Sequence, residues 1–344
     1  MNLRSEIGEA PDVVRRLVER GPSKLEGVRA AALGRSIGFA VIAARGTSDH
    51  AATYAQYVLG ARNGLPVALA TPSLTTVYGA TPRLANALVI GISQSGRSPD
   101  VVGVVEHARS QGAMTLAITN EPDAELAVAA EFVLDLAAGP ERSVAATKTY
   151  VAELAAVALL SEALRTGDTS PSPDLAAVPG AVEAALEGED AVAASAADGG
   201  PDSCVVLGRG FQYATAREWS LKLKEVAGIL ADPYSAADFE HGPITLVGAD
   251  FPILAVATAG RALAGVIALL ERLRRVGADL LVASDEDAAR RLGRRFIALP
   301  AGVPEWLAPI AAIVPAQLYA YHAALARGVD PERPRHLRKV TLTT

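Results

Sequence analysis

Short runs of apolar, mostly β-branched residues alternate along the chain with longer segments whose apolar positions recur at helical spacing. Two such runs are Val41–Ala44 and Ala87–Ile90, and two more are Val205–Leu207 and Phe251–Leu254. The helical patterns between such runs are about 12 to 18 residues long. Because strands that alternate with helices form βαβ units, the pattern predicts α/β domains built on parallel sheets.

The second half of the chain repeats the pattern of the first at an offset of about 164 residues, and a third match slips by one residue. The matching segments are Val41–Gly46 with Val205–Gly210, Ile92–Arg97 with Val256–Arg261, and Gly112–Asn120 with Gly277–Asp285. The repeat therefore predicts two tandem, doubly wound parallel-sheet domains that arose by internal duplication.

Turn-forming residues separate the two copies, at Thr166–Pro173 and Gly199–Pro201, on either side of an Ala/Glu-rich helical pattern. We therefore expect a helical segment over residues 1–35 and a first domain over residues 36–166. A linker with a helix is expected over residues 167–200, a second domain over 201–330, and a tail over 331–344.

Composition and charge exclude several classes of site. Half of the 344 residues are apolar and the formal net charge is -6. Since a nucleic-acid surface needs clustered Lys and Arg, we expect no nucleic-acid partner. The single Cys204 allows no disulfide within the chain, and no His-rich ligand spacing is present. We therefore expect a reducing compartment and no bound metal.

Two further features argue against a membrane or secreted protein. The most apolar segment, Leu307–Ala326, contains Pro309 and Pro315 as well as polar side chains, so we interpret it as a buried helix. Residues 1–8 carry charge where a secretory signal peptide needs an apolar stretch. These features predict a cytoplasmic protein without a membrane partner.

Two loops of the first copy, Gly46–Asp49 and Ser93–Ser98, are rich in hydroxyl groups and follow predicted strands. In open parallel sheets, ligands bind beyond the carboxyl ends of strands, where helix N-termini attract anions. The second copy has Ala257–Ala259 in place of Ser93–Ser95, so only one copy keeps the hydroxyl-rich loop. We therefore predict a phosphate-monoester site in the first copy. The alternative is that these Ser and Thr residues only cap helices.

A glycine-rich turn, Gly208–Ala214, is similar to a relaxed dinucleotide fingerprint, which makes a dehydrogenase the competing hypothesis. However, the nearest acidic candidate, Glu225, lies in a helical pattern rather than after a strand. Glu218, Lys222 and Glu225 recur at i, i+4 and i+7 and so share a helix face. That face is either a surface salt-bridge ladder or a proton-transfer centre for a sugar phosphate. Likewise, His241 is either a catalyst or a solvated loop side chain.

In their order along the chain, these motifs resemble the sugar isomerase (SIS) family. The resemblance is to the isomerase half of glucosamine-6-phosphate synthase and to stand-alone glucosamine-6-phosphate deaminases, and it implies tandem flavodoxin-like domains. It is carried by Glu6–Pro11, Arg45–Ser48, Ile92–Gly96, Ala138–Glu141, Ala146–Thr149, Leu207–Gly210, Leu221–Glu225, His241–Pro243 and Pro334–Lys339. The resemblance runs nearly end to end and implies a homodimeric phosphosugar enzyme without a cofactor.

The resemblance also implies roles for individual residues. The residues implied to hold the sugar phosphate are Gly46, Thr47, Ser48, Ser93, Gln94, Ser95 and Ser98. Glu225 would move a proton between C1 and C2 of the sugar, with Lys222 near the reacting oxygen or nitrogen. His241 would open the sugar ring of the neighbouring subunit in a dimer, and Lys339 in the C-terminal tail would form a Schiff base with a keto sugar.

Two departures from the synthase shape the expected reaction. Ala146 stands where the synthase has a hydroxyl residue that contacts the substrate. The synthase takes ammonia from glutamine with an amino-terminal cysteine on a separate domain, whereas this sequence begins Met1-Asn2, so we expect no use of glutamine. The favoured reaction is deamination of an amino-sugar 6-phosphate, with glucosamine 6-phosphate as the first candidate. The alternatives are an aldose–ketose isomerase, a fructosamine-6-phosphate deglycase and, in a different class, a sugar-phosphate sensor.

Overall fold

A computed structural model describes residues 2–166, 168–337 and 339 of the chain. These residues form two compact units. The first-sheet unit comprises residues 12–141 and 148–176 together with Lys339, and the second-sheet unit comprises residues 2–11, 142–147 and 177–337. Each unit contains one five-stranded sheet.

All strand pairings in the two sheets are parallel. The strands of the first sheet are β1 Phe39–Ala43, β2 Val67–Leu69, β3 Ala87–Ser93, β4 Met114–Thr119 and β5 Phe132–Asp135. Those of the second are β6 Ser203–Gly208, β7 Leu230–Ser235, β8 Pro252–Ala257, β9 Asp279–Ser284 and β10 Arg295–Ala298. The orders β2-β1-β3-β4-β5 and β7-β6-β8-β9-β10 are the same flavodoxin-like arrangement. The prediction of two doubly wound parallel-sheet α/β domains is thus confirmed.

Helices connect the strands. They are α1 Leu3–Gly8, α2 Ala10–Leu33, α3 Thr47–Asn63, α4 Ser73–Thr76, α5 Pro99–Ser110, α6 Glu125–Ala129, α7 Lys148–Thr166, α8 Pro173–Ala176, α9 Val178–Glu187, α10 Glu189–Ser195, α11 Gln212–Lys222, α12 Ala236–Glu240, α13 Leu263–Arg275, α14 Asp287–Arg290 and α15 Ala308–Ala326. The Ala/Glu-rich pattern after residue 173 is divided among α8, α9 and α10, with Gly188 at the junction of the last two.

Helices cover both faces of the first sheet. On one face, Val101 and Val105 of α5 and Leu126 of α6 pack against Val89 and Ala117 of the strands, and all of these side chains are buried. Helix α7 packs against α3, and these two helices also contact β4 and β3, respectively. Since α7 is buried along almost its whole length, the polar residues near its start are held in a rigid, water-poor setting.

The second sheet is covered by α13 on one face, where Leu269 and Leu273 pack against Ile253 and Val282. Helix α15 packs against α9, α10 and α11 and is almost wholly buried, as predicted for the apolar segment. Trp219 of α11 and Tyr319 of α15 meet edge to face with ring centroids 5.6 Å apart. This contact fixes the helix that carries Glu218 and Lys222. No helix in the described part of the chain is long and apolar enough to cross a membrane.

Candidate active site

The loop Ser93–Ser98 joins β3 to α5 at the carboxyl edge of the first sheet. Its backbone turns sharply at Gly96, whose φ is 63° and where an added Cβ would lie 2.7 Å from Cβ of Ala124. The Ser93 hydroxyl accepts a hydrogen bond from the Gly96 N–H at 3.2 Å. The Ser95 hydroxyl accepts one from the Arg97 N–H at 3.3 Å. The hydroxyl and amide groups of this tight turn therefore lie directly before the start of α5.

Helix capping does not account for these hydroxyl groups. Ser98 is the N-cap residue of α5, but its side chain makes no capping hydrogen bond. At α3 the N-cap residue is Gly46, which has no side chain to cap with. Ser48 donates its hydroxyl proton to Oε1 of Glu153 at 2.7 Å, and both side chains are buried. Sequence reasoning missed Glu153, because it lies more than one hundred residues away in a mostly apolar helix.

An ion pair ties the two hydroxyl-rich loops together. Nε of Arg45, the residue before Gly46, lies 2.5 Å from Oδ2 of Asp100 in the first turn of α5. The Asp100 side chain is only 1% exposed, whereas that of Arg45 is 49% exposed. Buried carboxylates need such partners, so this pair holds the starts of α3 and α5 at a fixed separation. The sequence signal that could have pointed to this ion pair is the acidic Asp100 in the first turn of α5.

The second sheet provides an internal comparison for the anion site. At the start of α13, the N–H groups of Arg261 and Ala262 donate to Oε2 and Oε1 of Glu305 at 2.9 and 3.2 Å. By the 164-residue offset, these two amides correspond to those of Arg97 and Ser98. An oxyanion is therefore bound in the second copy at the position equivalent to the hydroxyl-rich loop of the first.

Glu305 fills this position in the second copy. An added Cβ on Gly260 would lie 2.1 Å from Cδ of Glu305, so only glycine admits the carboxylate. The cavity that remains there, lined by Arg209, Gln212, Thr258 and Glu305 among others, measures only about 10 Å³. No external ligand fits in that space, since one water molecule needs at least as much.

The proposed proton-transfer residues lie at the end of α11. The helix changes there into a π-helical turn, Leu223–Ala227, which ends at Gly228 with φ 67°. Sequence periodicity predicted the shared face of Glu218, Lys222 and Glu225 but not the π turn. Such turns are frequent at functional sites, and this one carries Glu225.

Lys222 is buried between two carboxylates. Its side chain is 1% exposed, and its Nζ lies 3.3 Å from Glu218 and 2.6 Å from Glu225. Burial alone lowers the pKa of Lys222, but the two carboxylates together raise it above the ordinary value of 10.5. The group is therefore an ammonium ion at neutral pH. Its burial rules out the surface salt-bridge ladder that the spacing also allowed.

Glu225 forms part of the wall of a cavity. Its side chain is 19% exposed, in contrast to the fully buried Glu218. The cavity measures about 600 Å³ and is bounded by the π turn, by Gly228 and by residues 327–330, 333–335 and 337. Of the two carboxylates on Lys222, Glu225 is therefore the one that a ligand can reach.

The remaining two predicted catalytic residues are His241 and Lys339. His241 is the exposed C-cap residue of α12, and the chain turns after it at Gly242. Nζ of Lys339 lies 3.0 Å from Oε2 of Glu141, whose side chain is fully buried and also accepts the hydroxyl proton of Thr149 at 2.7 Å. Glu141 was not among the predicted site residues, although it belongs to one of the motifs that carried the resemblance.

Comparison with known protein families identifies a match over most of the chain. The SIS domain profile matches residues 38–163 and again residues 201–327. The chain belongs to the SIS domain family. The two matched segments each contain one of the parallel sheets, and the Gly208–Ala214 turn lies in the second of them.

Relatives of this SIS protein are named for phosphosugar chemistry. This chain is 35% identical to glutamine–fructose-6-phosphate aminotransferase (isomerizing) of Xanthomonas campestris pv. campestris. The match covers 98% of this chain and 58% of that protein. The chain thus spans little more than half the length of that relative. A provisionally assigned phosphosugar isomerase of Silicibacter pomeroyi DSS-3 is 33% identical, with TM-score 0.82 over 96% of this chain and all of that one. The C-terminal domain of glucosamine-fructose-6-phosphate aminotransferase from Francisella tularensis is 25% identical, with TM-score 0.86 over 96% of this chain and 98% of that one.

Proposed function

We propose that this SIS protein is an enzyme that moves a proton between C1 and C2 of an amino-sugar 6-phosphate. The favoured reaction converts glucosamine 6-phosphate and water to fructose 6-phosphate and ammonia. The observation that carries the proposal is the pairing of the accessible Glu225 carboxylate with the buried Lys222 ammonium at 2.6 Å. The names of the relatives support the phosphosugar part of it.

The Lys222–Glu225 pair suits carbon acid chemistry. The carboxylate is the base that takes the proton from one carbon and returns it to the next. The ammonium ion is held in a site that excludes water, so it stabilises the negative charge that develops on the neighbouring sugar oxygen. Its second carboxylate, Glu218, keeps it charged and fixed in place.

The phosphate group would bind at the hydroxyl-rich loops of the first-sheet unit. The candidate donors are the N–H groups at the start of α5 and the hydroxyls of Thr47, Ser93, Ser95 and Ser98, with Gly46, Ser48 and Gln94 shaping the pocket. Binding of the Glu305 carboxylate at the equivalent position of the second copy supports this assignment. Helix N-termini of this kind favour dianions even on an acidic protein.

His241 and Lys339 complete the proposed set of catalytic residues. His241, being exposed, is free to open the sugar ring in the site of a second subunit, as the resemblance implies for a homodimer. Lys339 would have to leave Glu141, 3.0 Å away, before its amine could attack a keto sugar to form a Schiff base. Schiff-base formation is therefore expected to be slow in the resting arrangement.

The test is release of ammonia from glucosamine 6-phosphate and galactosamine 6-phosphate, with fructose 6-phosphate as a third substrate. We expect one amino sugar to react and Glu225→Gln to lower kcat by at least about 100-fold, the low end of general acid–base contributions. Glu271→Gln, which alters an exposed glutamate on α13, is the matched control and should keep full activity. Conversion of fructose 6-phosphate alone would instead identify an aldose–ketose isomerase. Tight binding of a sugar phosphate without turnover would identify a sensor.

A further inference from the structure

Arg45 precedes the hydroxyl-rich loop Gly46–Asp49 and carries a guanidinium group whose orientation is fixed. Its Nε lies 2.5 Å from Oδ2 of Asp100, which is buried in the first turn of α5. A guanidinium has five N–H donors, and this contact uses the one on Nε. Within residues 2–166, 168–337 and 339, the Arg45 side chain is bound only to Asp100. The N–H groups on Nη1 and Nη2 are therefore available to a ligand.

Arg45 also links the two loops that are proposed to hold the phosphate. Its backbone leads into the first loop, and its guanidinium is anchored at the start of the helix that follows the second loop, Ser93–Ser98. The Arg45 side chain is half-exposed, whereas that of Asp100 is almost fully buried. Asp100 thus orients the guanidinium from the protein side and leaves the rest of the group accessible.

The charge of Asp100 makes a cation necessary at this position. The N-terminus of α5 attracts anions because of the helix dipole. A buried carboxylate in the first turn of the same helix has the opposite effect on a phosphate group. Arg45 neutralises that carboxylate, so the phosphate does not face an uncompensated negative charge.

The second copy of the repeat has an arginine at the equivalent position. By the 164-residue offset, Arg209 corresponds to Arg45, and it follows β6 as Arg45 follows β1. A Cβ added to Gly265, in the first turn of α13, would lie 3.1 Å from Nη1 of Arg209. In each copy, therefore, the arginine after the first strand reaches the start of the helix that follows the third strand.

An oxyanion lies beside this arginine in the second copy. Arg209 lines the same small cavity as Glu305, whose carboxylate occupies the N–H groups at the start of α13. Ala264 stands at the position equivalent to Asp100, and the first turn of α13 contains no acidic residue. The arginine thus accompanies the oxyanion position even in the copy that lacks the aspartate.

We propose that Arg45 binds the phosphate group of the substrate through Nη1 and Nη2, with Asp100 as the residue that positions it. The inference rests on the proposed function, because it concerns the phosphate site of that proposal. The other candidate donors there are hydroxyl and N–H groups, which carry no full charge. Two parallel N–H donors of a guanidinium match two phosphate oxygens. The positive charge of Arg45 favours the dianion of a phosphate monoester over a monoanion, so Arg45 determines the selectivity of the site.

The experiment compares two ligands that differ in charge, glucitol 6-phosphate and glucitol 6-sulfate, by calorimetric titration of the full chain at pH 8. Neither ligand has a carbonyl group, so neither reacts. The phosphate is a dianion at this pH, and the sulfate ester is a monoanion. We expect Arg45→Gln to raise the Kd of glucitol 6-phosphate by about 10-fold or more, because charge-assisted hydrogen bonds are lost. Since the Coulomb energy is proportional to the ligand charge, the Kd of glucitol 6-sulfate should rise by only about 3-fold.

Two further variants serve as controls. Arg83→Gln removes the same charge from an exposed arginine on the amino-terminal side of β3 and should leave both Kd values unchanged. Arg45→Lys keeps a positive charge beside the buried Asp100, so it remains informative if Arg45→Gln does not fold. Its single ammonium group cannot reproduce the fork of a guanidinium, and it should still raise the Kd of glucitol 6-phosphate by about 3-fold or more. Wild-type Kd values in Arg45→Lys would overturn the inference.

The remaining results separate this inference from the proposed function. An equal rise in both Kd values in Arg45→Gln would mean that Arg45 only ties the two loops together, and the inference would be wrong. If the Kd values change as expected but the wild type releases no ammonia from amino-sugar phosphates, the phosphate contact stands and the proposed reaction fails. If ammonia is released and Arg45→Gln leaves the KM of glucosamine 6-phosphate unchanged, the reaction stands and the phosphate contact fails. If the wild type neither binds these ligands nor releases ammonia, both proposals fail.

Discussion

Removing the Glu305 carboxylate tests whether helix N-termini of this fold bind oxyanions in this protein. Glu305→Ala leaves the N–H groups of Arg261 and Ala262 without their acceptor and exposes the start of α13 to solvent. The side chain is half-buried, so its charge is partly screened in the folded state. Glu305 belongs to the second-sheet unit, whereas the hydroxyl-rich loops belong to the first-sheet unit, and Glu305 is not among the residues that line the cavity at Glu225.

The size of the effect follows from the two hydrogen bonds and the helix dipole. Hydrogen bonds to a charged group contribute about 1.5–3 kcal/mol, and a charge at a helix N-terminus adds about 0.3–1 kcal/mol. Since water partly replaces the lost acceptor, we expect Glu305→Ala to lower the free energy of unfolding by about 2 kcal/mol. Glu305→Gln keeps one acceptor oxygen and should cost about 1 kcal/mol. In a protein of this size the corresponding falls in Tm are about 3 °C and 1.5 °C.

The assay is thermal unfolding with and without sodium sulfate. The vacated site in Glu305→Ala should bind sulfate, so its Tm should rise with sulfate more steeply than that of the wild type. The wild-type response supplies the background, because sulfate stabilises proteins generally. Glu271→Ala controls for the loss of a negative charge from the same unit. Equal Tm values and equal sulfate responses in Glu305→Ala and the wild type would refute the assignment of this position as an oxyanion site.

Three further predictions concern buried groups. Lys222→Met leaves two carboxylates facing each other and should cost about 3–5 kcal/mol in urea unfolding. Because the folded-state pKa of Lys222 is raised, the wild type should lose this stabilisation only as the pH rises beyond 10.5. The variant should lack that alkaline loss of stability. Identical dependence of the unfolding free energy on alkaline pH in the two proteins would contradict the buried ion pair. Gly96→Ala should weaken sugar-phosphate binding and cost about 1–3 kcal/mol by backbone strain, whereas Gly103→Ala in α5, where an added Cβ meets nothing, should not reduce stability. Burial raises the pKa of the Cys204 thiol to about 12, so a thiol reagent at pH 8 should label it only in urea, and rapid native labelling would show that the strand is accessible.

The sequence alone predicted the parallel sheets, because apolar runs of strand length alternated with helical patterns and left few other arrangements. It also predicted which loops carry hydroxyl groups, since residues at the carboxyl ends of strands are brought to one edge by topology. The spacing of Glu218, Lys222 and Glu225 placed them on one face for the same local reason, the periodicity of a helix.

Local patterns could not decide whether those three residues form a surface ladder or a buried centre. That choice depends on the packing of α15 against α11, which excludes water from Lys222 and leaves only Glu225 partly exposed. Arg45 with Asp100 and Ser48 with Glu153 are likewise pairs between distant segments. No local periodicity encodes such contacts.

Glu305 shows the same division most clearly. The sequence showed that the second copy has Ala257–Ala259 in place of Ser93–Ser95 and so lacks the hydroxyl-rich loop, and that residue 260 is a glycine. Only the tertiary structure shows that a carboxylate from a segment more than forty residues away occupies the two amides there. Sequence patterns determine the secondary structure and the side chains of each short segment. The tertiary fold determines which distant charged group lies next to that segment, because electrostatic and packing energies depend on distances in space.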